Sequence, residues 1–237
     1  MQAIRQCAAG MAAVLAILML TIGAMIPPAR AGFDEAAAAL ARADWATALK
    51  ELKPLAEAGN PAAQYNLGSM YRRGDGVPVD YSSARQWFEK AAAQELPEAE
   101  LALGDLYARG QGVMKSLPTA ADWYRKAAQH GNARAMNNLG AMASSGDGMK
   151  ADPAEALTWF TAAANKGLSS AQYNLGLIYA RGEGVPVDMK AAYVWFRLAA
   201  NHGDEDALQA IDAITPTLTS EEIDAAEAAA QDWQPQP

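Results

Sequence analysis

A 36-residue unit repeats four times along this chain without an insertion, and that period constrains the fold more than any single residue does. Leu67-Gly68 returns as Leu103-Gly104, Leu139-Gly140 and Leu175-Gly176. Gly74 and Gly76 return as Gly110 and Gly112, Gly146 and Gly148, then Gly182 and Gly184, while Trp87 returns as Trp123, Trp159 and Trp195. A fixed period of this length marks stacked units, each too small to bury its apolar face alone. Stacking makes an extended surface, which suits holding other proteins better than housing a reaction.

Each unit reads as two helices. In the first copy, Ala62, Tyr65, Leu67, Met70 and Tyr71 form a stripe at helical spacing that stops at Gly74, a residue able to take the left-handed conformation past a last turn. Arg73, Arg109 and Arg181 fall in that last turn, where a cation meets the negative end of the helix dipole. Asp80, Ser116, Asp152 and Asp188 are N-caps for the second helix, and Asp152-Pro153-Ala154-Glu155 has the form of a capping box. Ala84 and its copies at 120, 156 and 192 let the helices approach, with the tryptophans expected to fill the space between. Gly68 and its copies lie inside the first helix, at a propensity cost of about 1 kcal/mol each, for which close packing is the expected reason.

Ala-x-x-x-Leu-Gly-x-x-Tyr, Gly-x-Gly-Val, Ala-x-x-Trp and Lys-Ala-Ala recurring in register from residue 62 to about 205 resemble the Sel1-like repeat family, relatives of the tetratricopeptide repeats. The resemblance implies an all-α solenoid, with helical hairpins stacked into a right-handed superhelix whose concave groove is lined by the first helices. Residues 32–61 read as a degenerate capping repeat turning at Asp44, residues 62–205 as the four repeats, and residues 206–233 as a C-terminal helix and capping helix, with a disordered tail at 234–237. Thr219-Ser220-Glu221-Glu222 is a second capping box, and Ile223, Ala226, Ala230 and Trp233 give the last helix its apolar stripe. In the third copy Ala143 replaces the tyrosine of positions 71, 107 and 179, and Met142 and Met149 are expected to fill the space.

Residues 1–31 follow a different logic. Arg5 begins a stretch uncharged from Gln6 to Ala29, and Ala29-Arg30-Ala31 is a small-x-small site, so a secretory signal peptide cleaved after Ala31 is expected and the mature chain is placed in the periplasm. An uncleaved anchor is the competing reading, disfavoured by Pro27 and Pro28. Cleavage removes Cys7, the only cysteine, along with Arg5 and Arg30; of 19 basic side chains 17 remain against 27 acidic ones. Such a surface repels phosphate backbones and anionic lipid, so neither nucleic acid nor membrane is an expected partner.

No chemistry of its own is expected: no enzyme activity, no cofactor and no metal. Each Gly-x-Gly lies between two helices and not after a strand, so it lacks the context of a phosphate loop. His130 and His202 stand two units apart, too far to share a metal, and both fall near a helix end. Some relatives in the family are linked to penicillin binding or β-lactam hydrolysis, which makes a peptidoglycan- or β-lactam-interacting hydrolase the alternative reading. The chain has no Ser-x-x-Lys and no Gly-x-Ser-x-Gly to support it.

The expected binding surface is the face of the first helix that carries positions 62, 66, 69 and 73. It reads Ala62, Asn66, Ser69, Arg73; Glu98, Ala102, Asp105, Arg109; Arg134, Asn138, Ala141, Ser145; and Ser170, Asn174, Leu177, Arg181. The resemblance implies that Asn66, Asn138 and Asn174 line the concave side and grip a peptide backbone, for which an amide offers both donor and acceptor. Arg73, Arg109 and Arg181 would pair with a carboxylate of that partner segment. The chain is thus expected to be a monomeric scaffold or adaptor for a protein or peptide of the cell envelope, in envelope regulation or recruitment of cell-wall enzymes. Two capped ends argue against self-assembly.

Overall fold

The computed structural model describes residues 28–235. The expected leader lies outside these residues up to position 27, and positions 236 and 237 of the expected tail lie outside them as well. Among the described residues there are twelve α-helices and no strand. The first pair is α1 (Pro28–Ala41) and α2 (Trp45–Glu57). Four hairpins follow: α3 (Pro61–Arg73) with α4 (Tyr81–Ala92), α5 (Pro97–Arg109) with α6 (Leu117–Gln129), α7 (Ala133–Ser145) with α8 (Pro153–Asn165), and α9 (Ser169–Arg181) with α10 (Met189–Asn201). Helix α11 (Glu205–Ile214), a short 3-10 turn and α12 (Ser220–Asp232) close the array. Each helix packs on its neighbour in the chain, except that α12 returns onto α10.

Side-chain caps set the helix starts. Asp44, Asp80, Ser116, Asp152 and Asp188 each accept from backbone N–H groups of the first turn. At Asp152 the box is one-sided: its carboxylate accepts from Ala154 and Glu155, but Glu155 accepts from Trp159 Nε1 at 3.1 Å and does not reach back. Thr219 and Glu222 complete a reciprocal box.

The two glycines of each loop do different work. Gly74, Gly110, Gly146 and Gly182 end the first helices in the left-handed conformation. The second glycine also has positive φ, and it presses on the residue that starts the second helix of the preceding unit. A methyl group added at Gly76, Gly112 or Gly148 would stand 2.6 Å from Trp45, Tyr81 or Leu117. The loop is therefore a joint between units as well as a turn.

The glycine inside each first helix is explained by an aromatic ring, though not by the expected one. A methyl group on Gly68, Gly104, Gly140 or Gly176 would lie 2.4–2.8 Å from the ring of Phe88, Tyr124, Phe160 or Phe196. Those rings are buried, whereas Trp87, Trp123, Trp159 and Trp195, one residue earlier, are only half-buried. One step along a helix turns a side chain by about 100°, which carries the tryptophan out of the hairpin core. Lys90 and Lys126 hold their ammonium groups 3.9 and 4.2 Å from the ring centroids of Trp87 and Trp123. Trp195 meets Trp233 edge-on, which together with the bond from Tyr193 Oη to Glu227 ties α12 to α10.

Candidate functional site

The first helices lie in sequence along one face, and two hollows open on it. The first, of about 300 Å³, is bounded by Arg72 and Arg73 at the end of α3, Asp105 and Arg109 of α5, Gln111 of the following loop and Arg134 of α7. Asp105 is its fixed point. The Tyr124 hydroxyl donates to Asp105 Oδ1 at 2.9 Å, and Arg72 stands 3.8 Å from Oδ2 with its guanidinium over the Phe88 ring. Burial, and after it the Asp105 charge, pushes the Tyr124 phenol far above its ordinary range, so it remains a donor. Arg73 donates from Nε to Asp75 at 2.5 Å, which leaves its terminal amino groups for another acceptor.

The second hollow lies between the third and fourth units. One part, about 210 Å³, is lined by Ala141, Ser144, Phe160, Asn174, Leu177, Ile178, Arg181 and Glu183. The adjoining part, about 380 Å³, shares Ser144, Ile178 and Glu183 and reaches Pro153 and Ala156. This is the region of the missing tyrosine. Tyr71 packs on the cluster holding Ala84 and Leu106, residues in the same register as Ala156 and Ile178. Ala143 is itself fully covered, with Met142 and Met149 in the surrounding core, yet neither methionine lines the hollow and it stays open. The expectation that they fill the space is corrected: a methionine has the volume of the lost ring but leaves from a different point on the backbone.

The six side chains expected to bind a partner do not form one ladder. Arg73 and Arg109 enter the first hollow, and Asn174 and Arg181 enter the second. Asn138 is half-buried beside Leu139. Asn174 Nδ2 donates to Asn137 Oδ1 at 3.0 Å, linking α9 to α7. One of the three amides thus braces the array, and Asn66, like Asn138, is half-buried. Ala102, in the same register, is buried. Asn174 is consequently part of the frame as well as of the second hollow, while the arginines stand at the openings.

Four contiguous matches to the Sel1 repeat model cover residues 61–96, 97–132, 133–168 and 169–204. The chain belongs to the Sel1 repeat family. Its fold is that of a Sel1 repeat protein from Oxalobacter formigenes, 30% identical over 84% of this chain and 83% of that one, with a TM-score of 0.74. It is also similar to c5321, a protective antigen of uropathogenic Escherichia coli with the same type of fold, at 33% identity and a TM-score of 0.70 over 79% of this chain; that match spans 42% of the antigen. An immunity protein, Pa5087 of Pseudomonas aeruginosa, shares the fold at 22% identity and a TM-score of 0.54. No curated protein matches the chain.

Arg134 lies on the expected binding face but has no role assigned to it from the sequence, and Arg72 lies outside that face. Arg72 lies one residue off the chosen stripe, though its register is otherwise Ala108, Ser144 and Ala180, which was the available signal. Arg134 occupies the first turn of α7, the dipole end that disfavours a cation, so helix stability does not account for it. The two histidines take structural places in these Sel1 repeats. His130 Nδ1 meets the buried Glu100 carboxylate at 2.8 Å, and His202 Nδ1 meets the Leu198 carbonyl at 2.9 Å.

Proposed function

We propose that this Sel1 repeat protein is a periplasmic scaffold or adaptor that holds a segment of a partner protein against the face formed by its first helices, in envelope regulation or the recruitment of cell-wall enzymes. The repeat family supports the protein-interaction part of this reading. The uncharged stretch before Ala29-Arg30-Ala31 supports export. One observation carries the placement of the partner: both hollows open on the first-helix face, each with arginine at its opening and with the walls supplied by consecutive units. An extended segment running across the units would meet polar groups at one end and the apolar floor of Phe160, Leu177 and Ile178 at the other.

The test is a crosslinking pull-down from envelope extract with residues 32–237 as bait, beside the Leu177→Glu/Arg181→Glu variant and a variant altered on the opposite side, Lys90→Glu/Lys126→Glu. Capture lost only in the first variant supports the reading. Equal capture by all three baits overturns the placement of the partner. Turnover of a β-lactam or a muropeptide by the purified chain overturns the adaptor reading in favour of a hydrolase. Export is tested separately by fractionation and by the mass of the protein recovered from cells.

A further inference from the structure

Four guanidinium groups converge on a single hollow of a protein that carries a net charge of -8. Like charges gathered this closely repel unless something negative lies among them. Asp105 answers Arg72, and Asp75 answers the Nε of Arg73. Neither Arg109 nor Arg134 meets a carboxylate at salt-bridge distance among the described residues. The hollow therefore holds two uncommitted guanidiniums together with the free amino groups of a third, each offering planar paired donors that match an oxyanion.

We propose that this hollow is an anion-binding site for adjacent carboxylates on a peptide segment, with Arg109 and Arg134 as the principal ligands and Arg73 as a third. Asp105, held by Tyr124 and Arg72, places one negative charge in the lining, which disfavours a single large anion at the centre. A pair of side-chain carboxylates from successive acidic residues can divide between Arg109 and Arg134, which belong to different helices and hence to different units. The acidic remainder of the surface excludes long polyanions: a nucleic acid or a polyphosphate entering here would carry its other charges over a negative surface within one screening length, about 10 Å. A short acidic stretch flanked by neutral residues meets no such barrier. The peptide as source of these carboxylates rests on the scaffold reading above; the anion site rests on the arginines alone.

The test uses residues 32–237 and a blocked, fluorescein-labelled peptide carrying four consecutive glutamates between Gly-Ser flanks, with binding read by fluorescence anisotropy. Saturable binding is expected that weakens as salt rises, is absent for the glutamine version of the peptide, and falls by at least about tenfold in Arg109→Gln/Arg134→Gln. Circular dichroism of that variant should match the parent, since both residues are exposed. Arg181→Gln, at the other hollow, should bind the peptide as the parent does. No binding, or binding unaffected by Arg109→Gln/Arg134→Gln, overturns the site. Displacement of the peptide by inorganic phosphate at comparable concentration overturns the peptide assignment in favour of a small-anion site. If the peptide fails to bind while a captured envelope partner is lost with Leu177→Glu/Arg181→Glu, this proposal falls and the scaffold stands; peptide binding with no envelope partner is the reverse.

Discussion

Replacing Gly176 by alanine tests the packing argument by the sign of its effect. Within a helix, alanine is favoured over glycine by about 0.8–1 kcal/mol, so propensity alone predicts a more stable protein. The structure predicts the opposite. The new methyl carbon would lie 2.4 Å from Cδ1 and Cε1 of Phe196, where ordinary carbon contacts need about 3.5–4 Å. The ring would have to retreat by about 1 Å or more, and it has nowhere to go: Phe196 is 1% exposed, and the Tyr173 ring stands 5.6 Å from it. Overpacking of this kind costs about 1–3 kcal/mol. With a contact this short the upper part of that range applies, leaving a net loss of about 1–2 kcal/mol after the propensity gain. Urea unfolding followed by far-ultraviolet circular dichroism measures it on the whole array, where neighbouring units unfold together. Phe196→Leu in the same background should remove most of the penalty, giving a coupling of about 1 kcal/mol in a double-mutant cycle. A Gly176→Ala protein as stable as the parent or more so would refute the claim that these glycines exist to admit the ring.

Phe160→Ala should cost about 3–5 kcal/mol and Trp159→Ala only about 1–2, because the phenylalanine fills the hairpin core while the tryptophan is half-buried; thermal melts of the two variants decide the order. Glu95 has φ of 60° in the register where Gly59, Gly131, Gly167 and Gly203 stand, so Glu95→Gly should raise stability by about 0.5–1 kcal/mol, read from the same denaturation curve. The Glu100 carboxylate at Nδ1 raises the His130 pKa above its ordinary value. The folded state then holds that proton more tightly than the unfolded chain, so the contribution is complete below the ordinary histidine range and is lost as pH climbs through the raised value. Stability should decline as pH rises from the ordinary histidine range through the raised value, and His130→Gln should flatten that slope.

The helical reading was legible because its signals are local. Caps at Asp80, Ser116, Asp152 and Asp188, glycine stops at 74, 110, 146 and 182, and a terminal box at Thr219 and Glu222 all depend on residues within a few positions of one another. The period told which units stack, since each is the copy of its neighbour. Pairing across a distance of one unit was less legible. In equivalent places Gln94 Nε2 donates to Gln64, and His130 meets Glu100, each 30 residues apart, and no local pattern announces either pair.

By itself the sequence determined that this chain is a four-unit helical array, where its helices begin and end, and which glycines its turns require, because these follow from backbone conformation and from the repeat. Only the tertiary structure decided which aromatic enters the hairpin. Trp and Phe are adjacent in every unit but the second, where the ring is Tyr124, and about 100° of helix rotation selects the second of each pair. It also decided that Asn174 is spent on a bracing contact and that Arg72, Arg73, Arg109 and Arg134, drawn from three helices, share one opening. Long side chains reach across units, and where their ends meet depends on how the units are stacked.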